Sequence, residues 1–131
     1  MGAQLHAYLM SDDAKTQANF YIQSLGGEIL FLTTFGETPG TPEAMKDKVM
    51  HLAITIAGAN TIMMADSFEP VNYTRSISIS LSFDDVSEAT TAYAKLSEGG
   101  EMKYPFAPQP WGAHYGELVD KFGVTWMITK Q

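Results

Sequence analysis

Three histidines and one aspartate are the side chains of this sequence best placed for acid–base or metal chemistry. His6 lies on the first predicted strand, and His51 and His114 each lie near the start of a predicted β-hairpin. Imidazole exchanges protons near neutral pH, so each could bind a ligand, transfer a proton or coordinate a metal. Strand histidines also serve as hydrogen-bonded structural residues. Asp66 has a similar pair of interpretations, as a buried general base or as a solvated carboxylate beside a linker.

The composition excludes several classes of partner and chemistry. A formal net charge of −7, with the eight basic residues scattered, disfavours nucleic acid and anionic membranes as partners. The sequence has no cysteine, which excludes disulfides and thiolate chemistry and fits a reducing cytoplasm. No apolar run approaches the roughly 18–20 residues that a membrane-spanning helix needs. We therefore expect a soluble cytoplasmic protein that binds neither nucleic acid nor membrane.

The first half of the sequence predicts the order βαβββ. Apolar residues at helical spacing follow Asp12 or Asp13, either of which can cap the helix, and Gly26 can end it. Alternation of apolar and polar residues, with turn residues between the runs, predicts the four strands. These strands are 4–10, 28–36, 49–58 and 60–67.

The second half predicts the same order again. A strand at 76–83 alternates serines with large apolar residues, and Asp85 and Glu88 have capping-box spacing at the start of the next helix. GGEIL at 26–30 and GGEMK at 99–103 follow the two helices at corresponding places. We therefore predict a single domain, 1–131, built by duplication. It consists of module one (1–67), a linker (68–75) and module two (76–131).

Period-two alternation predicts which side chains face away from the helices. If Leu5, Ala7 and Leu9 pack on the first helix, His6 and Tyr8 face the other way. The same reasoning turns the serines of 76–83 away from the second helix, where they form either a ligand-facing row or a solvated face. Trp126 is expected to face the helix. Trp111, in a proline-rich loop, is either a mobile aromatic lid or a core or dimer contact. The candidate cavity residues are His6, Tyr8, His51, Met64, Asp66, Ser78, Trp111, His114 and Met127.

Three stretches resemble the vicinal oxygen chelate (glyoxalase/bleomycin resistance/dioxygenase) superfamily, the first its opening module and the other two its PhnB-like branch specifically. They are FYIQSLGGEILF, HLAITIAGANTIMMADS and WGAHYGELVDKFGVTWMI, and the resemblance covers essentially the whole chain. The resemblance implies an α+β fold of two βαβββ modules forming a curled mixed β-sheet. It also implies a ligand cavity between the modules and a homodimer.

The resemblance also indicates where a metal would be held. The superfamily's metal enzymes take four ligands, from the first and last strands of each module, and these positions fall at His6, near Met64, at Ser78 and at Met127. Methionine and serine cannot replace carboxylate and imidazole around a hard divalent cation. The expectation is therefore no cofactor. The alternative is a divalent metal held by His6 and the displaced candidate Asp66.

These observations leave more than one function open. PhnB-like sequences have often been labelled ubiquinone-pathway methyltransferases, yet no G-x-G-x-x-G follows a predicted strand. The leading hypothesis is a protein that binds a small organic or phosphonate-like molecule in the cavity, and whether it is an enzyme stays open. The alternative is a divalent-metal-dependent lyase or isomerase that uses His6, Asp66, and His51 or His114. A third possibility is a purely structural or interaction protein.

Metal titration tests the ligand count. Chelator-stripped protein, offered Mn²⁺, Ni²⁺, Zn²⁺ or Fe²⁺, is expected to take up no stoichiometric metal, because Met64, Ser78 and Met127 are not suitable ligands. Metal content and the thermal midpoint are the measurements. Stoichiometric tight binding that disappears in His6→Ala would contradict the expectation.

Overall fold

A computed structural model describes residues 2–131 as two successive βαβββ modules, which confirms the predicted fold. The first module contains β1 (Ala7–Ser11), α1 (Ala14–Leu25), β2 (Gly27–Thr34), β3 (Val49–Ile56) and β4 (Asn60–Asp66). The second contains β5 (Ser78–Ser82), α2 (Val86–Ser97), β6 (Glu101–Pro108), β7 (His114–Val119) and β8 (Thr125–Lys130). Two short 3₁₀ turns, Phe35–Glu37 and Glu43–Met45, lie in the long loop between β2 and β3.

Each module forms its own four-stranded mixed sheet. The strand orders are β1-β4-β3-β2 and β5-β8-β7-β6, in which the first pair of each sheet is parallel and the other pairs are antiparallel. The chain divides into two compact units, one reaching to Val71 and one running from Asn72 to Gln131. Within residues 2–131, no helix is both long and apolar enough to cross a membrane.

α1 closes one face of the first sheet. Its N-cap is Asp13, whose side chain accepts a hydrogen bond from the Thr16 amide, and Gly26 ends it with φ of 75°. The fully buried residues of β3, Leu52 and Ile54, lie on the face that packs against this helix, where burial of apolar surface stabilises the unit. Leu5, which alternation assigned to the same face, precedes β1 and is fully exposed.

α2 closes one face of the second sheet. Asp85 caps it by accepting from the Glu88 amide at 2.9 Å. Trp126 is fully buried and pairs with Leu118 on β7, so the prediction that Trp126 faces the helix is confirmed. Ile77, which was predicted to pack on this helix, lies before β5 and is 80% exposed.

Tyr93 ties α2 to an irregular part of the second sheet. Its hydroxyl donates to the carbonyl of Tyr104 at 2.8 Å and lies 3.2 Å from that of Glu117. The register between β6 and β7 shifts on both sides of Tyr104, so this hydroxyl meets backbone carbonyls that the strand ladder leaves available. Burial raises the pKa of Tyr93, which keeps the hydroxyl protonated as a donor.

Asp120 organises the turn between β7 and β8. It is 3% exposed, and its carboxylate accepts from the amides of Phe122 (2.9 Å) and Val124 (3.1 Å) and from the indole Nε1 of Trp126 (2.9 Å). A buried carboxylate is stable only when its oxygens are hydrogen-bonded, and here three donors meet that need. The turn and the largest core side chain of the unit therefore depend on one residue.

We expect Asp120→Ala to lower the free energy of unfolding by about 2–4 kcal/mol, because it leaves buried donors without an acceptor. Denaturant unfolding measures the loss, and Trp126 fluorescence reports exposure of the indole. Asp84→Ala, at an exposed position, is the matched control and should change stability by less than about 0.5 kcal/mol. Equal effects of the two substitutions would contradict the assigned role.

Candidate functional site

The side of each sheet opposite its own helix carries the candidate site, and we call it the helix-free face. In the first unit Tyr8 pairs with Met63, Met63 with Ala53, and Ala53 with Phe31. Directly paired residues share a face, and these lie opposite the buried Leu52 and Ile54. His51, two residues before Ala53 on β3, lies on the same face.

His51 lies between two aromatic rings, and we call Tyr8, Phe31 and His51 the His51 cluster. The Tyr8 hydroxyl is 2.9 Å from the His51 Nδ1 atom, and the two rings stack with centroids 5.4 Å apart. The Phe31 ring lies 5.0 Å from the imidazole at an angle of 45°. Tyr8 and Phe31 are 48% and 44% exposed, so the cluster presents a wide aromatic surface.

The Tyr8 hydrogen bond gives the far imidazole nitrogen a defined role. If Tyr8 donates to Nδ1, a neutral imidazole carries its proton on Nε2 and can donate to a ligand. If Nδ1 donates to Tyr8, Nε2 becomes an acceptor. Across residues 2–131 no hydrogen bond to Nε2 is made. The cluster therefore combines ring surfaces with one polar atom able to orient a bound molecule.

Met64 lies on the opposite face from the one predicted. It is fully buried and pairs with Leu9 and Leu52 in the core under α1, whereas its neighbour Met63 occupies the helix-free face. A strand position displaced by one residue changes face, which explains the error.

Asp66 acts as a structural tie. One carboxylate oxygen accepts from the Ala14 amide at the start of α1, and the other accepts from the Val49 amide at the start of β3, both at 2.7 Å. The negative charge is also favourable beside a helix N-terminus. Both oxygens of this candidate base and metal ligand are thus engaged by backbone amides.

His114 is not the counterpart of His51. It pairs with Pro108 and Lys130, on the same side as the core residues Trp126 and Ile128, and its ring is tilted by 31° against that of Phe106 with the centroids 5.7 Å apart. The corresponding position on the helix-free face is Tyr115. Gly116 is also on the helix side, where a Cβ atom would lie 2.7 Å from the Phe106 Cα atom.

The remaining candidates are His6, Ser78 and Met127, and their positions follow from the strands on which they lie or which they precede. His6 precedes β1 and is partly buried. Ser78 pairs with Thr125 and Ser80 with Met127, on the side away from Trp126, so the serine row and Met127 are on the helix-free face of the second unit. These positions fit the predicted side, and their role in ligand binding stays a prediction.

Trp111 contributes to a groove within the second unit. It is 69% exposed and lines an open groove of about 440 Å³ together with Tyr104, Pro105, Ala107, Gln109 and Tyr115. Sequence reasoning did not find Tyr104, Tyr115 or Phe31. Phe31 lies in a run of four apolar residues where alternation gives no face, and Tyr104 lies between two register shifts.

The groove has a carboxylate beside it. The Tyr115 hydroxyl donates to the Glu117 carboxylate at 3.4 Å, and Glu117 pairs with Tyr104 across the sheet. Burial, followed by the negative charge of Glu117, raises the pKa of Tyr115. The hydroxyl therefore stays protonated as the donor to Glu117.

The residues present do not fit the four-ligand metal site that the superfamily implies. Over the described chain, residues 2–131, no group of three or more histidine, aspartate or glutamate side chains is arranged to hold a metal ion. Three of the four ligand positions that the resemblance implies are occupied by the buried Met64, Ser78 and Met127, where carboxylate and imidazole ligands would be needed.

Comparisons with known proteins cover nearly the whole chain. A family model described as 3-demethylubiquinone-9 3-methyltransferase matches residues 4–129. Protein YjdN of Escherichia coli (strain K12) is 29% identical over 121 residues, which is 83% of this chain and 82% of YjdN.

Solved structures agree with this match. Protein PA1353 from Pseudomonas aeruginosa is 32% identical, with a TM-score of 0.85 over 99% of this chain and 98% of that one. A putative 3-demethylubiquinone-9 3-methyltransferase, PhnB protein, from Bacillus cereus is 27% identical, with a TM-score of 0.81 over 98% of this chain and 100% of that one. More distant structures, under 25% identical, show that the fold is of the glyoxalase/bleomycin resistance/dioxygenase type.

The two roles considered for Asp66 predict different stabilities. As a structural tie, Asp66→Ala should lower the free energy of unfolding by about 2–4 kcal/mol, and Asp66→Asn, which keeps one acceptor oxygen, should cost less. Denaturant unfolding measures both, with the exposed Asp47→Ala as the matched control. Unchanged stability in Asp66→Ala would contradict the structural role and restore the residue as a candidate base.

Proposed function

This chain belongs to the PhnB-like family described as 3-demethylubiquinone-9 3-methyltransferase, and we propose that it binds a small organic molecule at the His51 cluster. The observation that carries the proposal is an imidazole stacked on Tyr8 and contacted at an angle by the Phe31 ring, with its Nδ1 atom hydrogen-bonded to the Tyr8 hydroxyl. The two aromatic rings would provide apolar contact area, and the His51 Nε2 atom would orient the bound molecule through a hydrogen bond. The family's description names a methyl transfer, but the sequence contains no glycine-rich motif for a methyl donor.

The character of the helix-free face favours an organic ligand over a phosphonate-like one. Met63 and Ala53 lie beside the cluster, and flexible methionines adapt well to an irregular organic surface. A phosphonate carries its charge on several oxygens and is usually bound by arginine, lysine or a row of backbone amides. His51 alone gives such a group one partner.

The metal-dependent lyase or isomerase has less support. Asp66 is engaged by two backbone amides, and His114 lies on the helix side of its own sheet. Of the candidates for that chemistry, His6 and His51 remain, which is fewer than the three protein ligands that catalytic zinc sites use. The cavity between the modules, the homodimer and the cytoplasmic location stay predictions.

A fragment screen with two histidine variants tests the proposal. Planar organic fragments that carry one hydrogen-bonding group, with methylphosphonate included, are titrated into the full chain and followed by NMR. We expect fragments to bind, and His51→Ala to weaken them by about tenfold, because it removes the ring and the directing hydrogen bond. His114→Ala is the matched control, since that imidazole lies on the other face of its own sheet.

Tyr8→Phe separates ring contact from imidazole orientation. It keeps the stacked ring but frees Nδ1, so we expect a smaller loss of affinity than in His51→Ala and a weaker preference among hydrogen-bonding fragments. Fragments that bind equally well to wild type and His51→Ala would overturn the proposal, as would binding of methylphosphonate alone.

A further inference from the structure

The groove of the second unit has a composition suited to a positively charged organic group. Three of its lining side chains, Tyr104, Trp111 and Tyr115, are aromatic, and none of the six lining residues is charged. A ring face is electrostatically negative, and rings arranged around a space attract cations that have few hydrogen bonds to lose, quaternary ammonium groups above all. We propose that this groove binds an organic ammonium cation, with the rings of Tyr104, Trp111 and Tyr115 around the charged group and the Glu117 carboxylate balancing its charge.

Glu117 is held close to the rings by the sheet itself. It pairs with Tyr104 on β6, and the Tyr115 hydroxyl, two residues away on the same strand and face, donates to its carboxylate. Burial and the charge of Glu117 raise the pKa of Tyr115, so the hydroxyl remains a donor that orients the carboxylate. The groove therefore has a fixed negative charge beside ring surfaces. The net charge of −7 adds a favourable long-range field for a cation.

One lysine already uses part of this surface. The Lys103 Nζ atom lies over the Tyr104 ring, 6.0 Å from its centroid. This contact shows that the Tyr104 face can accept a cation, and it makes the lysine a competitor for the ring. A bound ammonium ligand would displace it, so removing the lysine charge should strengthen binding.

A pair of isosteric probes tests the charge directly. Choline and 3,3-dimethyl-1-butanol have nearly the same shape, but in the alcohol a neutral carbon replaces the charged nitrogen. Each is titrated into the full chain, and the two indole N–H signals are followed by NMR. We expect choline to move the Trp111 signal and to bind at least about tenfold tighter than the neutral probe. The Trp126 signal is an internal control, because that indole is buried and bonded to Asp120.

Variants assign the effect to named groups. Trp111→Leu should weaken choline by about tenfold, whereas Trp111→Phe should keep most of the affinity. Both are safe for folding, since Trp111 is 69% exposed. Glu117→Gln, which still accepts from Tyr115, should weaken choline but not the neutral probe. Lys103→Met should strengthen choline.

Equal binding of choline and the neutral probe would overturn the proposal, because the groove would then be only apolar. Choline binding that is unchanged in both Glu117→Gln and Trp111→Leu would overturn it as well. The His51→Ala variant keeps this test separate from the proposed function, since it lies in the other unit and should leave choline binding unchanged. The two sites can therefore fail independently.

Discussion

Each sheet of this protein is covered on one face by a single helix, and side chains along a strand alternate between the two faces. This alternation determines on which face of its sheet each strand side chain lies. On the helix side, Leu52 and Trp126 are fully buried and contribute stability. Burial there is incomplete at the edge of the sheet, since Met102 on β6, which pairs with Leu118, is 59% exposed. Positions one residue away lie on the helix-free face, where polar and aromatic groups can meet a ligand. The candidate ligand-contacting side chains are therefore alternate residues of each strand.

The same alternation explains which elements and residue faces could be predicted from the sequence. The duplicated βαβββ order, the capping residue Asp85 and the buried Trp126 were predictable, because strong periodicity and local capping chemistry specify them. For the first helix the sequence left Asp12 and Asp13 open, and the structure shows Asp13 as the cap. Met64 and His114 were assigned to the wrong face. Met64 was placed from a ligand position of the family and His114 by its match to His51 in the other module, and an error of one residue reverses the face.

Other parts of the site could not be predicted for a different reason. Phe31 lies next to a register shift at Leu30, and Tyr104 lies between two shifts, so alternation fails where the aromatic residues gather. The structural use of Asp66 depends on amides from α1 and β3, which are distant from it in sequence. Long-range hydrogen bonds of this kind leave no local pattern.

The duplicated modules have diverged at matching positions. Counted back from the capping aspartates, Tyr8 corresponds to Ser80, and the strand registers then match Met63 with Met127. His51 matches Tyr115 in the same way, and Ala53 matches Glu117. One copy therefore presents an imidazole and the other a carboxylate, so a single scaffold offers two surfaces of different charge preference.

The carboxylates that stabilise the two copies lie at opposite ends of matching strands: Asp66 holds the start of β3, and Asp120 holds the turn after β7. The other end of each strand is held without a carboxylate. The Asn60 side-chain amide donates to the Ala57 carbonyl in the β3–β4 turn at 2.9 Å, and in the loop before β7 the Gln109 backbone amide donates to the Ala113 carbonyl at 2.8 Å. Trp111 lies inside this hydrogen-bonded loop, so the backbone sets the position of its Cα atom while most of its ring is left in solvent, 69% exposed.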